Sequence, residues 1–304
     1  MSQIATSVIH DLRLMIRQRL LLSVIAAFVT LALAACFIGW STAHTVNHAY
    51  DLSVPLVQPG TPVPPNPFTN VSHLSLERNL GVYFFLLGSL LAIVIGTSLI
   101  TQDRTQGLVP LVLSRTRNKY QYVLGKAVAS VAALAAILVV TFGVLSIAII
   151  CLPQLSLSLT QFAKLAAFFG LSWVYLSVFC FIGLTGGMLA KSHTMALLLP
   201  ITVWIIFGFV LPQAITGMEP TALLNPVTIA APDTTNAFFQ HASQLLGSLA
   251  FSEHYKHNGL WLLEYKASSP GILPFTSLSL AWTVSAGSLV IFTRRWLPAE
   301  SELS

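Results

Sequence analysis

Long apolar runs separated by short polar segments are the dominant pattern of this 304-residue chain. A helix needs about 20 apolar residues to cross the hydrocarbon layer of a membrane. Because backbone polar groups in lipid must be satisfied within the protein, long continuous runs predict helices rather than barrel strands. The six predicted membrane helices cover about residues 20–40, 80–101, 124–150, 164–190, 194–211 and 272–293.

The segments outside these helices predict one membrane domain over residues 1–304, without a soluble domain. Before the first membrane helix, Ile4, Val8, Leu12 and Met15 recur at helical spacing, which predicts an amphipathic helix. Two long outer loops are expected. The first, residues 41–79, contains a proline run, Pro55–Pro67, that should be extended. The second, residues 212–271, contains a segment, 236–251, whose spacing predicts a short amphipathic surface helix.

Composition agrees with a membrane protein, since 55% of the residues are hydrophobic and 8% are charged. Soluble domains carry about 25% charged residues. The chain is therefore predicted to be an all-α integral membrane protein with six transmembrane helices.

The basic residues predict which side each loop faces, because cytoplasmic loops of membrane proteins are enriched in Lys and Arg. With both termini inside, eleven of the 15 basic residues lie on the cytoplasmic side. These are Arg13, Arg17, Arg19, Arg104, Arg115, Arg117, Lys119, Lys126, Lys191, Arg294 and Arg295. The net charge of +5 is then mainly a topology signal, and no nucleic-acid partner is predicted.

The inner loop after the second membrane helix is the most informative segment, with the sequence TQDRTQGLVPLVLSRTRNKYQYVLGK over residues 101–126. The acidic Asp103 is followed by Gly107 and by the apolar turn Leu108–Leu113. A basic cluster comes next, and then Leu124-Gly125-Lys126 opens the third helix.

This loop resembles the inner loop of the permease subunits of ABC-2 type transporters. Two positions depart from that family's pattern: Leu108-Val109 stands where Thr-Leu is preferred, and Arg104 stands where a second acidic residue is common. The segment Leu223–Pro226 (LLNP) also resembles a Leu-Asn-Pro element of the family, particularly in permeases of nitrous-oxide-reductase maturation systems.

The resemblance implies a function. The chain would be the permease subunit of an exporter in the bacterial cytoplasmic (inner) membrane, working as a homodimer or with a paralogous permease. Its inner loop would dock on a separate ABC ATPase subunit, which would hold the ATP and Mg²⁺, so that the chain itself has no cofactor. The ATPase-coupling residues implied are Asp103, Gly107, Leu108, Leu111, Leu113, Arg115, Arg117 and Lys119. The alternative for the basic residues is that they contact membrane lipid and set topology.

Catalytic motifs are missing from the sequence. The string nearest to a phosphate-binding loop, Thr185–Ser192, lacks both required glycines. No Ser-His-Asp or paired-carboxylate arrangement is evident, so the chain is not expected to be an enzyme. A membrane scaffold or sensor that binds partners through the outer loops is the alternative function.

Glycines at small-x-x-x-small spacing predict close helix packing, with a substrate path as the alternative. These are Gly88 and Gly96 in the second membrane helix, and Gly183 and Gly187 in the fourth.

Two pairs of histidines raise the possibility of a metal site. The pairs His44/His48 and His254/His257 could each share a helix face, but without a third and fourth ligand no metal site is predicted.

LALAAC, which ends at Cys36, resembles a lipoprotein cleavage box. The apolar run continues past Cys36 to Trp40, a full membrane span, so an uncleaved helix with an unmodified Cys36 is predicted.

Overall fold

The computed structural model describes residues 3–56, 63, 66, 72–109, 111, 120–152, 157–190, 192–216, 241, 244–265 and 273–302. These residues form helices joined by short turns, and no strand occurs among them. In chain order the α-helices are α1 (Gln3–Arg17), α2 (Leu20–Ser53), α3 (Arg78–Tyr83), α4 (Ser89–Thr105), α5 (Tyr120–Cys151), α6 (Leu159–Leu189), α7 (His193–Ile205), α8 (Leu211–Thr216), α9 (Phe251–Leu262) and α10 (Leu273–Glu302).

Six helical segments in the described part of the chain are long and apolar enough to cross a membrane. Turns of π-helix, Phe84–Gly88 and Ile206–Val210, join α3 to α4 and α7 to α8, so each of these pairs forms one span. The six spans are Leu20–Leu56, His73–Thr105, Tyr120–Cys151, Leu159–Leu189, Thr194–Ile215 and Phe275–Arg294. The prediction of an all-α integral membrane protein with six membrane helices is confirmed.

The first helix is longer than its apolar run. We expected it to end near residue 40, but α2 continues to Ser53 through a polar stretch. The reason is local, because no proline interrupts the helix until Pro55. Trp40 stacks on His44 within this extension, with ring centroids 5.5 Å apart.

The helix α9 in the second predicted outer loop is packed against the bundle rather than lying on its surface. Tyr255 of α9 is fully buried and stacks on Tyr175 of α6, with ring centroids 4.1 Å apart. The Tyr255 hydroxyl lies 2.8 Å from Ser172 Oγ. Of the amphipathic segment predicted at 236–251, residues 241 and 244–251 are described; they include the 3-10 helix Gly247–Leu249, and Leu245 and Leu249 are exposed there.

The centre of the bundle is the contact between α4 and α6, and glycines line it. A Cβ added at Gly96 would come within 2.1 Å of the Cys180 carbonyl oxygen, and one added at Gly183 within 2.6 Å of the Ile93 carbonyl oxygen. Gly187 lies against Ile100, and Gly88 lies between α2 and α6. The four glycines singled out in the sequence therefore lie where helices approach closely.

Candidate functional site

A buried cluster of charged residues joins three helices at one end of the bundle, which we call the α1 end. Lys126, near the start of α5, has its Nζ 2.8 Å from Asp11 Oδ1 on α1. The same Nζ lies 2.7 Å from Asp103 Oδ2 at the end of α4. All three side chains are almost completely buried. We call Asp11, Asp103 and Lys126 the charge cluster.

Tyr122 completes the cluster by donating a hydrogen bond of 2.7 Å from its hydroxyl to Asp103 Oδ2. One turn later on the same helix, the Lys126 ammonium also lies 5.5 Å from the centre of the Tyr122 ring. Asp103 thus receives an ion pair and a hydrogen bond at one oxygen, which holds the end of α4 against the start of α5.

Asp11 is the less satisfied of the two carboxylates. Its Oδ2 is buried and has no hydrogen-bond partner among the described residues. Desolvation raises the pKa of Asp11 above its ordinary value, and the neighbouring Lys126 opposes that rise. With two carboxylates and one ammonium, the charge cluster has an excess of negative charge when all three groups are ionised.

Buried charges of this kind hold their helices in one arrangement. Removing one partner leaves another charge buried without compensation, which destabilises a protein by about 3–5 kcal/mol. A movement that pulled α4 away from α5 would separate Lys126 from Asp103 and meet the same penalty, and one that pulled α1 away would break the Lys126–Asp11 pair. The three helices therefore form one mechanical unit at the α1 end.

The loop that leaves this unit begins with a well-defined helix end. Gly107 adopts the left-handed backbone conformation, with φ of 64°, that glycine tolerates best at a helix C-terminus. Its N–H donates to the Arg104 carbonyl oxygen at 3.0 Å. After this turn Val109 is buried, whereas Leu111 is 61% exposed.

The predicted coupling residues fall into three groups. Asp103 is buried in the charge cluster, so in this structure its carboxylate is bound within the chain. Gly107 forms the turn, with Leu108 half-buried and Leu111 exposed just after it. Leu113, Arg115, Arg117 and Lys119 lie outside the described residues.

Arg104 has a structural role that the sequence reasoning missed. Its guanidinium donates to the carbonyl oxygens of Gly187 and Met188 at 3.2 Å each, and also to that of Ala190. These carbonyls belong to the C-terminal end of α6, which has no further turn to supply their donors. The guanidinium also lies 5.6 Å from the centre of the Trp296 ring on α10. Arg104 therefore ties α4 to α6 and α10.

Asp11 and Lys126 were likewise not recognised as a pair, although the sequence carries a signal for each. Asp11 falls within the apolar stripe of α1, between Val8 and Met15 at helical spacing. Lys126 lies inside the apolar run of α5. An acidic and a basic residue, each on a face that should be apolar, predict a buried pair.

The first histidine pair lies on the polar extension of α2. His44 and His48 are one helical turn apart, and both are exposed. His44 stacks on Trp40, the residue one turn before it. Within the described ranges, no group of three or more His, Cys, Asp or Glu side chains could hold a metal ion, so His44 and His48 are not joined there by further ligands.

The second histidine pair lies on α9. His254 forms a hydrogen bond through its ring nitrogen Nδ1 with Ser277 Oγ of α10. His257, one turn later, is half-buried. Desolvation lowers the pKa of His254, Glu253 opposes this effect, and His257 adds to it. Among the described residues His254 and His257 likewise gain no third metal ligand. The structure therefore brings neither pair into a metal centre within that part of the chain.

Comparison with known proteins agrees with this architecture. A family model described as ABC-2 family transporter protein matches residues 5–295. No curated protein matches the chain in sequence. The family match covers nearly the whole chain, from α1 to the last span, and includes every member of the charge cluster. The chain therefore belongs to the ABC-2 transporter family, as the membrane-spanning permease subunit of an ABC transporter.

Proposed function

We propose that this permease is the membrane part of an exporter and that a separate ABC ATPase subunit drives it from the α1 end, which faces the bacterial cytoplasm. The observation that carries the proposal is the charge cluster of Asp11, Asp103 and Lys126 at the base of the loop between α4 and α5. ATP and Mg²⁺ are bound by the ATPase subunit, and this chain holds neither.

The docking surface is the loop itself. Leu111 presents a largely exposed apolar side chain beyond the Gly107 turn, in a segment that the sequence flanks with Arg115, Arg117 and Lys119. An apolar anchor inside a basic rim fits a groove that has an apolar floor and acidic edges. Val109 is buried, which anchors the start of the loop to the bundle.

Movement of the loop would pass to the membrane helices through the contacts already described. The charge cluster makes α1, α4 and α5 follow the loop together. From α4, the motion reaches α6 through Arg104 and through the backbone contacts at Gly96 and Gly183. Tightly packed interfaces of this kind transmit rigid-body shifts because they cannot deform continuously.

A second permease chain, identical or paralogous, and membrane lipid would cover the remaining apolar surface. The fifth and sixth spans are the least buried of the six, and they expose Ile205, Val210, Val284 and Val290 among other apolar side chains. In a membrane such side chains contact lipid or another helix. Two permeases with two ATPase subunits are the assembly that we propose.

Affinity purification from the native membrane tests the proposal, with the bound proteins identified by mass spectrometry. The wild-type chain should retain an ABC ATPase. A loop variant that combines Arg115→Glu, Arg117→Glu and Leu111→Gln should lose it. The matched control combines Arg13→Glu and Arg17→Glu. These two arginines of α1 are exposed, and their replacement changes the charge by the same amount.

The loop variant decides the outcome if it reaches the membrane in wild-type amount. An ATPase that stays bound to this variant would contradict coupling through the loop. Purification of the wild-type chain without any ATPase would favour the alternative function, a scaffold or sensor that binds partners through its outer loops.

A further inference from the structure

A fourth buried charged residue, Glu77, lies at the end of the bundle opposite the charge cluster. It closes the short 3-10 helix His73–Glu77 that precedes α3. Glu77 is 1% exposed. Neither carboxylate oxygen receives a hydrogen bond of ordinary geometry from the described residues, and no ion pair to Glu77 occurs among them.

Glu77 is deep enough to lie in the hydrocarbon layer. The Cys36 thiol, a weak donor, is the polar group of α2 that faces it. Cys36 follows Leu20, the start of α2, by roughly 24 Å at 1.5 Å per residue, which is within a hydrocarbon layer of about 30 Å. The carboxyl group therefore lies beside the buried part of the first span rather than on the surface.

The wall of this site is closely packed. A Cβ added at Gly39 of α2 would come within 2.7 Å of the Leu76 carbonyl oxygen, so the two backbones touch beside Glu77. Leu74 and Leu80 on either side are fully buried. One helical turn beyond Cys36, the indole Nε1 of Trp40 is also buried and has no hydrogen-bond partner among the described residues.

The neighbouring cations are engaged elsewhere. Arg78, the next residue, donates to the Tyr265 hydroxyl at 2.9 Å and lies over that ring. Lys256 of α9 pairs with Glu253, and Lys164 of α6 pairs with Glu264. His73 is in the same short helix, four residues before Glu77, and Cys36 is the titratable group that faces Glu77 from α2.

An ionised carboxylate without a partner is strongly disfavoured in such surroundings, and the group becomes neutral by taking up a proton. A metal cation would need several oxygen ligands, whereas the site offers one carboxyl and one thiol. Ionisable residues inside membrane spans commonly serve proton pathways.

We propose that Glu77 is a proton-binding site: it holds a proton while α2 packs against His73–Glu77, and it releases the proton when these segments separate and water enters. Opening of this end of the bundle is then linked to proton release. Because the α1 end is proposed to face the cytoplasm, the proton is exchanged with the opposite side of the membrane.

Infrared difference spectroscopy of the purified protein in lipid tests the site directly. At neutral pH the wild-type protein should show the carbonyl stretch of a protonated carboxyl, which shifts in D₂O. Glu77→Gln should lose this band. The control Glu253→Gln, which removes a carboxylate paired with Lys256, should keep it. Equal bands in wild type and Glu77→Gln would overturn the proposal.

Chemical labelling of the wild-type protein gives a test that needs no variant. Dicyclohexylcarbodiimide is apolar and adds to protonated carboxyls; the acyl group then moves to nitrogen and leaves a stable N-acylurea with no group lost. Peptide mapping should find the adduct at Glu77 and not at Glu253 or Glu264. Labelling of Glu77 by a water-soluble carbodiimide instead would overturn the proposal, because it would show an accessible group.

The link to opening rests on the proposed function and is measured with the ATPase bound. The ratio of ATP turnover between wild type and Glu77→Gln should change with pH, whereas Glu77→Asp should retain the wild-type pH dependence. A constant ratio, with the infrared band present, would refute the link and leave the proton site standing. The infrared and labelling results do not depend on an ATPase, so failure of the proposed function can be told apart from failure of this one.

Discussion

Lys126 and Asp11 are 115 positions apart in the sequence, yet the Lys126 ammonium donates to the Asp11 carboxylate at 2.8 Å in the interior of the protein. The contact shows that the amphipathic helix α1 is attached to the bundle by a buried charge pair as well as by apolar packing. A helix that only lay on the membrane surface would have no such anchor.

The members of the charge cluster should differ in their effect on stability. Lys126→Met leaves two buried carboxylates without a counter-charge and should lower the free energy of unfolding by about 3–5 kcal/mol. Asp11→Asn removes the excess negative charge and leaves the Lys126–Asp103 pair and the Tyr122 hydrogen bond in place, so it should lie within about 1 kcal/mol of wild type. Thermal unfolding in detergent measures both.

Asp103→Asn is the matched variant for Asp11→Asn, because it makes the same chemical change at the oxygen that receives both Lys126 and Tyr122. It should be clearly less stable than Asp11→Asn. The reverse order would mean that Asp11, rather than Asp103, is the main partner of Lys126.

Alanine substitutions should separate the packed glycines from the free ones on a single helix. Gly183→Ala places a methyl group against the Ile93 backbone and should destabilise the protein by about 1–3 kcal/mol through overpacking. Gly170, also on α6, has nothing within 4 Å of an added Cβ, so Gly170→Ala should be neutral or slightly stabilising. Equal melting temperatures for the two variants would contradict the close α4–α6 contact.

Replacement of Arg104 by lysine should weaken the end of α6 although the charge is kept. The planar guanidinium reaches several carbonyl oxygens at once, which an ammonium on a flexible stem cannot do as well. We expect a loss of about 1–2 kcal/mol, in line with hydrogen bonds from charged donors. Arg78→Lys, at the opposite end, is the control and should have a smaller effect because its contact with Tyr265 is exposed.

The polar contacts of Glu264 should make stability depend on pH in the acidic range. Hydrogen bonds from Lys164, and then from Ser72, lower the pKa of Glu264 from 4.5 to about 2. A carboxyl whose pKa is lowered by folding stabilises the protein above its unfolded pKa, and this contribution is lost as the pH falls toward the folded pKa. The window therefore runs from about pH 4.5 down to about pH 2.

Melting curves of wild type and Glu264→Gln measure this effect. The wild-type protein should be the more stable above the window, and the difference should shrink as the pH falls through it. The effect should be modest, because Lys164 is 43% exposed and water screens the pair. A difference that does not change with pH would contradict the lowered pKa of Glu264.

The sequence by itself determined the class of this protein. The lengths of the six apolar runs are set by the membrane, and they were sufficient to predict six helices. The loop of residues 101–126 carried the family resemblance because its pattern is local. The extent of α2 was underestimated because an apolar run marks where lipid begins and ends, whereas the helix continues until Pro55 interrupts it.

Only the tertiary structure decided which charged residues contact each other and that Glu77 is enclosed. Glu77 precedes an apolar run and was expected in an outer loop, but the contact between Gly39 and Leu76 encloses it beside Cys36. Asp11 and Lys126 lie on separate helices, and no spacing in the sequence relates them. Burial depends on which helix faces cover each other, and that is settled by side-chain packing between segments far apart in the chain.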